Sequence, residues 1–429
     1  MTARSVVAPR RGTCPGLSTP MLTGDGLLVR LLPIGTVPLA TFAALCAAAR
    51  EYGNGIIEIT ARGSIQVRGL SAESAPRFAD AIGALDIATA YGIPVLTNAL
   101  AGLGAEEMFD ARKLAADLGR ALAQKSFAAR LAPKVSVVVD GGGTLTLDRL
   151  AADVRLRADM SNDNVILHVG VGGDSASAAP LGHVSLGCGV DAAIRLLDAI
   201  ARRGCDVRAR DIVASEGMAA FRSTIGDLLI ADPRPPGARK SREAIGLHRL
   251  RDGSFACGLC LPFGHADATM LERLAEAAAL AGATAIRAAA GRALMIVGLT
   301  HASAAAFTAA AERFGFIVDA DDPRRRVVAC AGAPICASAH IPARAIAPLI
   351  AESVALRTGG SSTIHVSGCG KGCAYQGRAA LTAIGMPNGC ALVANGTARD
   401  APFAVVAADD LVAAIARYDR ETTPEDSHV

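Results

Sequence analysis

Two pairs of cysteines near the C-terminus have a spacing that could bind an iron–sulfur cluster. Cys330 and Cys336 are separated by five residues, and Cys369 and Cys373 by three. Four thiolates on two loops can hold one cubane cluster, because each iron needs a soft anionic ligand and the loops enclose the cluster from two sides. The sequence therefore predicts a cluster site in the last quarter of the chain.

Three glycines, Gly368, Gly370 and Gly372, flank or separate the second cysteine pair. Because glycine has no Cβ atom, the backbone here could approach the cluster sulfides and direct N–H groups at them. Two alternatives remain from spacing alone. A structural zinc site usually has tighter cysteine pairs, so these spacings fit it poorly. The four cysteines could also be ordinary core residues that bind nothing.

Other candidate ligands are predicted to be structural. Cys257 and Cys260 form a C-x2-C pair, but they lie within a predicted strand, where positions i and i+3 point to opposite faces. His340 and His365 are the histidines nearest the cysteine motifs, and we expect an ordinary structural role for both. No trio of histidines and carboxylates has a spacing that suggests a mononuclear iron site.

The composition indicates a multidomain globular protein. The chain has 429 residues, of which 51% are hydrophobic, 19% charged and 3% aromatic, and its formal net charge is +3. Neither this charge nor the sparse aromatic residues indicate a nucleic-acid partner. We expect neither a secretory signal nor a membrane span, because the basic N-terminus is followed by no apolar run and no stretch of about 18 apolar residues occurs. Eleven cysteines without an export signal favour reduced thiols and a cytoplasmic location.

An internal repeat organises the chain. Residues 24–70 align with residues 253–299 without a gap at an offset of 229, and 12 of the 47 positions are identical. This composition would give roughly four identities by chance, so we expect two related halves. Each copy has the order strand, turn, helix, strand, which predicts a small α+β module. Between the copies we expect a helical stretch over about 105–132, two strands, and a linker at 232–243.

The motifs resemble those of the sulfite and nitrite reductase superfamily, whose members couple a 4Fe-4S cluster to a tetrapyrrole. The resemblance covers most of the chain. Within the superfamily the sequence is most similar to the precorrin-3B synthase family. The matching stretches are CPGLSTPMLTGDGLLVRLLP (14–33), ITARGSIQVRGL (59–70), CAGAPICASAHIPARAIAP (330–348) and HVSGCGKGCA (365–374).

The resemblance implies an α+β fold. Two ferredoxin-like half-modules related by internal duplication would alternate with two larger α/β domains of the sirohaem-reductase type, which is also the order that the repeat suggests. We predict an N-terminal arm and first half-module at 1–90 and a first α/β domain at 91–240. A second half-module at 241–315 and a second α/β domain with the cluster motifs at 316–429 would follow.

The resemblance also assigns roles to individual residues. Its four cluster ligands match the two cysteine pairs, and Cys373 would lie beside the tetrapyrrole. Lys134 matches the first of two lysines that bind the small oxyanion in the reductases. An element that lines the macrocycle pocket matches three residues of the stretch TARGSIQ, namely Thr60, Arg62 and Gln66.

Basic residues near these motifs could bind a polycarboxylated macrocycle, because guanidinium groups fork onto carboxylates. Arg62 and Arg68 are six residues apart and, with Arg30 and Lys134, could form such a cradle. For each of these residues the alternative is a solvated surface charge. Arg62 is the stronger candidate of the arginines, because it lies within the matched motif.

Several departures separate this sequence from the reductases. Ser136 stands where the second oxyanion-binding lysine would be, and Ile93 stands where an arginine is expected. Ala380 replaces an acidic residue that usually follows the last cluster cysteine, and Arg30 lies one place from the usual arginine. The loss of cationic groups weakens a sulfite or nitrite site. We therefore interpret the tetrapyrrole as substrate and not as a permanent haem.

The family resemblance implies oxygen-dependent hydroxylation of precorrin-3A, with lactone formation, to give precorrin-3B in aerobic cobalamin biosynthesis. It implies a 4Fe-4S cluster and a mononuclear non-haem iron whose ligands we cannot name. The implied partners are the tetrapyrrole, dioxygen and an electron donor. The alternative is a sulfite or nitrite reductase with sirohaem and a 4Fe-4S cluster, and a second alternative is a non-catalytic iron–sulfur or tetrapyrrole-binding protein.

Overall fold

The structure is a computed structural model. It describes residues 15–90, 92–231, 236–237, 239, 241–354, 363–375 and 377–422. The predicted N-terminal arm falls mostly on residues 1–14, which include Cys14 and lie outside the described residues. No helix in the described part of the chain combines the length and the apolarity that crossing a membrane requires.

The first repeat copy forms an antiparallel sheet with two helices. Its strands pair in the order β1-β2-β5-β4, with the short strand β3 outside this sheet. Along β5, Ile65 and Val67 point into the core while Gln66 and Arg68 point to the opposite face. The elements are β1 (Met21–Thr23), β2 (Gly26–Leu31), β3 (Val37–Pro38), α1 (Leu39–Tyr52), β4 (Ile56–Ile59), β5 (Ile65–Leu70) and α2 (Ser74–Ala84).

The segment between the copies forms a mixed sheet in the order β10-β9-β8-β7-β6, in which β6, β7 and β8 are parallel neighbours. Its strands are β6 (Val95–Thr97), β7 (Val137–Asp140), β8 (Ala152–Ser161), β9 (Asn164–Gly173) and β10 (Ala179–Ser185). Its helices are α3 (Ala111–Ala123), α4 (Gly189–Ala201), α5 (Ala209–Glu216) and α6 (Ala219–Arg222).

Helix α3 is shorter than the helical stretch that we predicted. It begins at Ala111 because the carboxylate of Asp110 accepts a hydrogen bond from the backbone N–H of Arg112, at 3.0 Å, and so caps the first turn. Residues Ser126–Arg130 form a separate 3₁₀ turn. The two predicted strands of this segment correspond to β7 and β9.

The second repeat copy has the same order of elements as the first. Its sheet has the order β11-β12-β15-β14, and its two helices pack on the side that faces the first copy. The elements are β11 (Gly246–Arg249), β12 (Phe255–Cys260), β13 (His265–Asp267), α7 (Ala268–Leu280), β14 (Ala285–Ala289), β15 (Ala293–Leu299) and α8 (His301–Arg313).

The two copies exchange a strand. Strand β3 of the first copy pairs with β14 of the second, and β13 of the second copy pairs with β4 of the first. Each half-module sheet therefore has five strands, one of which comes from the other copy. A single buried core joins both copies and includes Phe42, Phe78, Leu271 and Phe307.

The two copies differ in one detail of register. Val29 pairs with Val67 in the first sheet. At the repeat offset of 229 these two residues correspond to Gly258 and Ile296 of the second sheet, but the residue that pairs with Ile296 is Cys257. Both sheets carry the same irregularity, between Leu27 and Val29 in the first and between Phe255 and Ala256 in the second, so the difference is a one-residue shift of the whole of β2 relative to β12. The prediction of a gapless repeat is therefore wrong in this strand. The packed role predicted for the C-x2-C pair is confirmed, since Cys257 and Cys260 are buried in different apolar clusters.

The last segment repeats the topology of the mixed sheet in the order β16-β17-β18-β19-β20, with β16, β17 and β18 parallel. The fold is thus the predicted α+β arrangement with an internal duplication, whereas the residue boundaries of the four domains stay a prediction. The elements are β16 (Val327–Ala329), α9 (Ala343–Val354), β17 (Ile364–Ser367), β18 (Ala379–Met386), β19 (Gly389–Gly396), β20 (Ala404–Val406) and α10 (Leu411–Thr422).

Candidate functional site

The two cysteine loops lie at one edge of the last sheet. Cys330 comes directly after β16, and Cys369 comes two residues after the end of β17. Because β16 and β17 are parallel neighbours, their carboxyl ends meet at the same edge, where ligands of α/β sheets commonly bind. The fold thus brings together cysteines that are far apart in the sequence.

The thiol of Cys330 is held by the second loop. Its Sγ accepts a hydrogen bond from the backbone N–H of Gly368 at 3.1 Å. Burial raises the pKa of the Cys330 thiol, and the neighbouring thiols of Cys336 and Cys373 raise it further. The backbone N–H groups of Gly368 and Gly332 act in the opposite direction and lower this pKa. Like-charge repulsion between thiolates at this site is what a bound metal group would relieve.

The thiol of Cys373 is the most exposed of the four. Burial of its sulfur raises its pKa, and the thiols of Cys369 and Cys336 act in the same direction. The ammonium groups of Lys134 and Lys371 act in the opposite direction, so both charges lie within electrostatic range of Cys373. Lys134 and Cys373 come from different α/β segments, so the charge of Lys134 acts across the two segments.

The backbone of the loops is close-packed, as a cluster site requires. A Cβ atom on Gly368 would lie 2.6 Å from the Ala339 Cβ and 3.3 Å from the Cys330 Sγ, so only glycine fits there. Among the described residues, no group of three His, Cys, Asp or Glu side chains is arranged to hold a metal ion. A cubane would not need such a group, since each thiolate binds a different iron atom.

A row of polar side chains crosses the first half-module sheet on the face opposite its core. Arg30, Gln66, Glu58 and His265 stand at paired positions on four neighbouring strands. With the amide of Gln66 oriented to satisfy its neighbours, its oxygen accepts from Arg30 Nε at 2.9 Å. Its nitrogen donates to Glu58 Oε2 at 2.8 Å. We call these four residues the polar row.

Arg68 lies beside the polar row and is almost fully buried, with 5% of its surface exposed. Its Nε and Nη2 donate to the two carboxylate oxygens of Asp25 at 3.1 and 3.0 Å. Its Nη2 also approaches the carbonyl oxygen of Ile335, inside the first cysteine loop, at 3.5 Å. The guanidinium is thus bound between the sheet and the loop. Substrate binding by Arg68 stays a prediction, and these contacts favour a role in holding the loop.

The turn between β1 and β2 also packs directly on the first cysteine loop. A Cβ atom on Gly24 would lie 2.7 Å from the carbonyl oxygens of Pro334 and Ile335 and 2.8 Å from the backbone nitrogen of Ala337. Such distances are shorter than van der Waals contact, so the turn can approach the loop this closely only with glycine at this position.

Thr60 and Arg62, two of the residues matched to the macrocycle pocket, lie in the turn between β4 and β5. The Thr60 hydroxyl accepts hydrogen bonds from the backbone N–H groups of Arg62 and Ser64, at 3.3 and 3.0 Å, and so fixes the turn. Arg62 donates to the Ser136 hydroxyl at 3.0 Å and to the Ala151 carbonyl at 3.2 Å. These contacts connect the turn to the first mixed sheet, and the macrocycle roles stay predictions.

Two positions where the reductases have a cation are neutral in this chain. Ser136 is fully buried, and its hydroxyl is the acceptor for Arg62. Ile93 packs against the core of the first mixed sheet. Neither position therefore offers a cation to a small oxyanion.

Two arginines and one glutamate at the site were not predicted from the sequence, namely Arg292, Arg344 and Glu58. Arg292 donates to the Ala374 carbonyl, next to Cys373, at 2.8 Å. Arg344 forms an ion pair with Glu58 of the polar row. Arg292 stands opposite Gly63 in the repeat, so a comparison of the two turns could have found it. Arg344 lies within the matched stretch 330–348, but the motif assigns no role to it.

The two histidines near the cysteines differ in burial. His340 is exposed. His365 is fully buried, and neither of its ring nitrogens has a hydrogen-bond partner among the described residues. Burial, with a smaller contribution from Arg292, lowers the pKa of His365 to about 4, so the ring is neutral at physiological pH. Its ring meets the Tyr375 ring edge-on, with the centroids 6.0 Å apart.

The other half of the molecule has no comparable site in its described residues. The face of the second half-module sheet that corresponds to the polar row is largely apolar, and Met295 and Val297 pack there against Leu100 and Leu145. Arg287, which pairs with Met295 on this face, is buried and donates to the Ala101 carbonyl oxygen and the Thr97 hydroxyl, both at 3.0 Å. At the carboxyl ends of β6 and β7, where the last sheet has its cysteines, stand Asn98 and Asp140. These two side chains hydrogen-bond to each other at 2.9 Å.

Comparisons with known proteins show the family of this chain. Residues 19–85 match the family described as nitrite/sulfite reductase ferredoxin-like half domain. A protein named precorrin-3B synthase, from Sinorhizobium sp, is 39% identical over 419 residues, which cover 97% of this chain and 90% of that protein. This chain belongs to the precorrin-3B synthase family. The membership agrees with the resemblance seen in the motifs.

The precorrin-3B synthase family lies within a wider superfamily, as two further comparisons show. A ferredoxin–nitrite reductase from Synechococcus elongatus is 25% identical over 383 residues, which cover 82% of this chain and 75% of that protein. The structure of the Mycobacterium tuberculosis NirA protein superposes with a TM-score of 0.78 at 20% identity, covering 94% of this chain and 82% of that one. The latter likeness concerns the fold.

Proposed function

We propose that this protein is an enzyme of cobalamin biosynthesis that converts precorrin-3A to precorrin-3B. The observation that carries the proposal is that the first cysteine loop contacts both the second cysteine loop and the sheet that bears the polar row. Membership of the precorrin-3B synthase family supports the choice of substrate. The neutral residues at positions 93 and 136 favour this reaction over reduction of sulfite or nitrite.

The residues present fit a 4Fe-4S cluster. Cys330, Cys336, Cys369 and Cys373 would each bind one iron, and the N–H of Gly368 already donates to the first of these sulfurs. Such a cluster, when bound, supplies single electrons. The described residues do not fit a mononuclear iron, since no group of His, Cys, Asp or Glu side chains is arranged to hold one ion. We assign no step to that iron.

The substrate would lie between the polar row and the second cysteine loop. Arg30 is half-buried at the edge of the polar row, and Lys134 is exposed beside Cys373. Both carry positive charges suited to carboxylates of the macrocycle. Gln66 orients the Arg30 guanidinium through its amide oxygen, and Glu58 in turn fixes the amide. These residues bind and orient the macrocycle without taking part in bond formation.

The proposed reaction consumes one dioxygen, two electrons and two protons for each precorrin-3A. One oxygen atom becomes a hydroxyl group at a meso position, the carboxylate oxygen of an acetate side chain adds to an adjoining macrocycle carbon so that the lactone closes without loss of water, and the other oxygen atom leaves as water. The electrons come from an external donor. The acetate is part of the substrate, so the task of this chain in lactone formation is to hold that side chain near the reacting carbon.

The proposal is tested by mixing the reduced, cluster-containing protein with precorrin-3A under isotopically labelled dioxygen. Mass spectrometry should find a product that is heavier by one labelled oxygen atom. A strong Soret band in the purified protein, together with reduction of sulfite or nitrite, would instead identify a sirohaem reductase. Binding of precorrin-3A without any oxygen-dependent product would identify a non-catalytic binding protein.

A further inference from the structure

Lys134 has a backbone conformation that is unfavourable for a residue with a side chain. Its φ angle is +69°, in the left-handed region. A non-glycine residue keeps such a conformation only where its surroundings hold it there. Lys134 is exposed and directly precedes the buried residues that lead into β7. The N–H of Val135 donates to the Ala132 carbonyl oxygen at 3.3 Å and closes a turn in which Lys134 is the third residue, a position where φ can be positive. Further backbone contacts hold this turn in place.

One ion pair makes these backbone contacts. Arg208, at the start of α5, donates through Nε and Nη2 to the two carboxylate oxygens of Asp153 at 2.9 and 2.6 Å. The same Nη2 donates to the carbonyl oxygen of Lys134 at 3.1 Å. The Asp153 carboxylate also accepts from the backbone N–H of Ser136 at 3.0 Å. The pair thus fixes the chain on both sides of Val135.

The ion pair is well placed to act as a fixed support. The Asp153 side chain is only 3% exposed, and its carboxylate also accepts from the backbone N–H of Ala209 at 3.2 Å. A buried carboxylate with several donors is held in one orientation. Arg62 reaches the same segment from the first half-module through the hydroxyl of Ser136. Residues 134–136 are therefore held from two sides.

We infer that the Asp153–Arg208 pair positions Lys134 so that its ammonium group meets a carboxylate of the tetrapyrrole beside Cys373. Arg208 is a positioning residue, because it acts through the backbone of Lys134. A lysine side chain is long and flexible, and fixing its backbone reduces the number of conformations that are lost when it binds. This inference rests on the proposed function, since it needs a carboxylated macrocycle at the site.

The test is a double-mutant cycle on the binding of precorrin-3A. Binding is measured without dioxygen, so that the substrate is not consumed, by titration of its visible absorption with the cluster-containing protein. Lys134→Met should weaken binding about tenfold, the effect of losing one charge-assisted hydrogen bond. Arg208→Gln should weaken it roughly three- to tenfold. The double variant should bind within about twofold of Lys134→Met, because Arg208 then has no lysine to position.

Arg203→Gln is the matched control. It removes an arginine–carboxylate pair of the same segment, with Glu216, that does not contact residues 134–136. Its affinity for precorrin-3A should equal that of the wild type. Circular dichroism checks that each variant is folded, and Asp153→Asn takes the place of Arg208→Gln in the cycle if the latter does not fold.

The outcomes separate the two proposals. Wild-type affinity in Arg208→Gln, or losses that simply multiply in the double variant, would overturn the positioning role while leaving the proposed function intact. Wild-type affinity in Lys134→Met would overturn the role of Lys134 itself. Failure of the wild-type protein to bind precorrin-3A would overturn the proposed function, and the positioning role with it.

Discussion

Single residues decide whether the site can hold a metal group. Cys369 stands just after β17, and its thiol lies near that of Cys373. We predict that Cys369→Ser loses the cluster, because iron in such clusters prefers thiolate over the harder serine oxygen. Iron and acid-labile sulfide, measured on the purified variant, should fall to a small fraction of the wild-type content.

Cys205→Ser is the control for this prediction. Cys205 is an exposed free cysteine in the first mixed-sheet segment, so its loss should leave the iron and sulfide content unchanged. Full iron and sulfide in Cys369→Ser would show that Cys369 is not a ligand.

The conformation of Lys134 has a measurable effect on stability. At a left-handed position a Cβ atom is unfavourable, so Lys134→Gly should be more stable than Lys134→Ala by about 1 kcal/mol. The free energy of unfolding in urea measures this difference. At Lys125, where φ is −98°, the same two substitutions should show no preference for glycine. Equal stability of the two Lys134 variants would mean that the left-handed conformation is not retained in solution.

The sequence predicted chemical types of residues better than their partners. Cysteine spacing identified a candidate ligand set, because four soft ligands with flanking glycines are uncommon outside metal sites. It could not show that Arg68 is held by Asp25, since that contact depends on how a turn 43 residues away folds back onto β5. Long-range ion pairs of this kind leave no periodic signal in the chain.

At the level of secondary-structure elements, the β1–β2 turn is in close contact with the first cysteine loop. We predict that Gly24→Ala destabilises the protein by about 1–3 kcal/mol, because its Cβ would lie 2.7 Å from two carbonyl oxygens of that loop. The added methyl should also displace the loop and lower cluster content. Urea unfolding and iron analysis measure the two effects.

Gly83→Ala provides the comparison. Gly83 lies in α2, and a Cβ atom there meets nothing within 4 Å. Alanine should therefore stabilise this helix by roughly 0.5–1 kcal/mol and leave the cluster content unchanged. If Gly24→Ala behaved in the same way, the turn and the loop would not be in the close contact that the structure shows.

Most elements could be predicted from the sequence, because each repeat copy has a clear alternation of apolar strands, a helix and glycine-containing turns. The exchange of β3 and β13 could not. These strands have only two and three residues, and a pairing between copies is decided by packing rather than by local pattern. The one-residue shift of β2 escaped for the same reason, since such a shift does not change the apolar composition of the strand.

For the molecule as a whole, acid pH should be destabilising partly through His365. Its pKa is about 4 in the folded protein and 6.5 ordinarily. Between these values the unfolded chain binds a proton that the folded chain does not, so stability falls as the pH drops from 6.5 towards 4. Leucine does not titrate. When the pH is lowered from 7.5 to 5.5, the free energy of unfolding of His365→Leu should therefore rise by about 1 kcal/mol relative to that of the wild type.

Urea unfolding of both proteins at the two pH values measures this gain. His340→Leu serves as the control for replacing an exposed histidine by leucine. A constant difference between His365→Leu and the wild type across this range would mean that the ring of His365 is protonated as readily in the folded chain as in water.

The repeat indicated two related halves but not their unequal chemistry. Gln66 of the polar row and Met295 of the second sheet occupy equivalent positions, yet one faces the site and the other lies in an apolar cluster. A sequence shows that one residue is polar and the other is not. It does not show which face of the strand meets the cysteine loops, because that depends on how the segments pack.

The exchanged strands bear on the history of the chain. After an ancestral gene doubled, each copy came to supply the edge of its sibling, since β13 completes the first sheet and β3 the second. Deleting either copy would leave the survivor with an uncovered strand, open to aggregation. The second copy, whose own sheet lacks a polar row, therefore still completes the edge of the first, and the loss of reactive groups from that copy leaves this task intact.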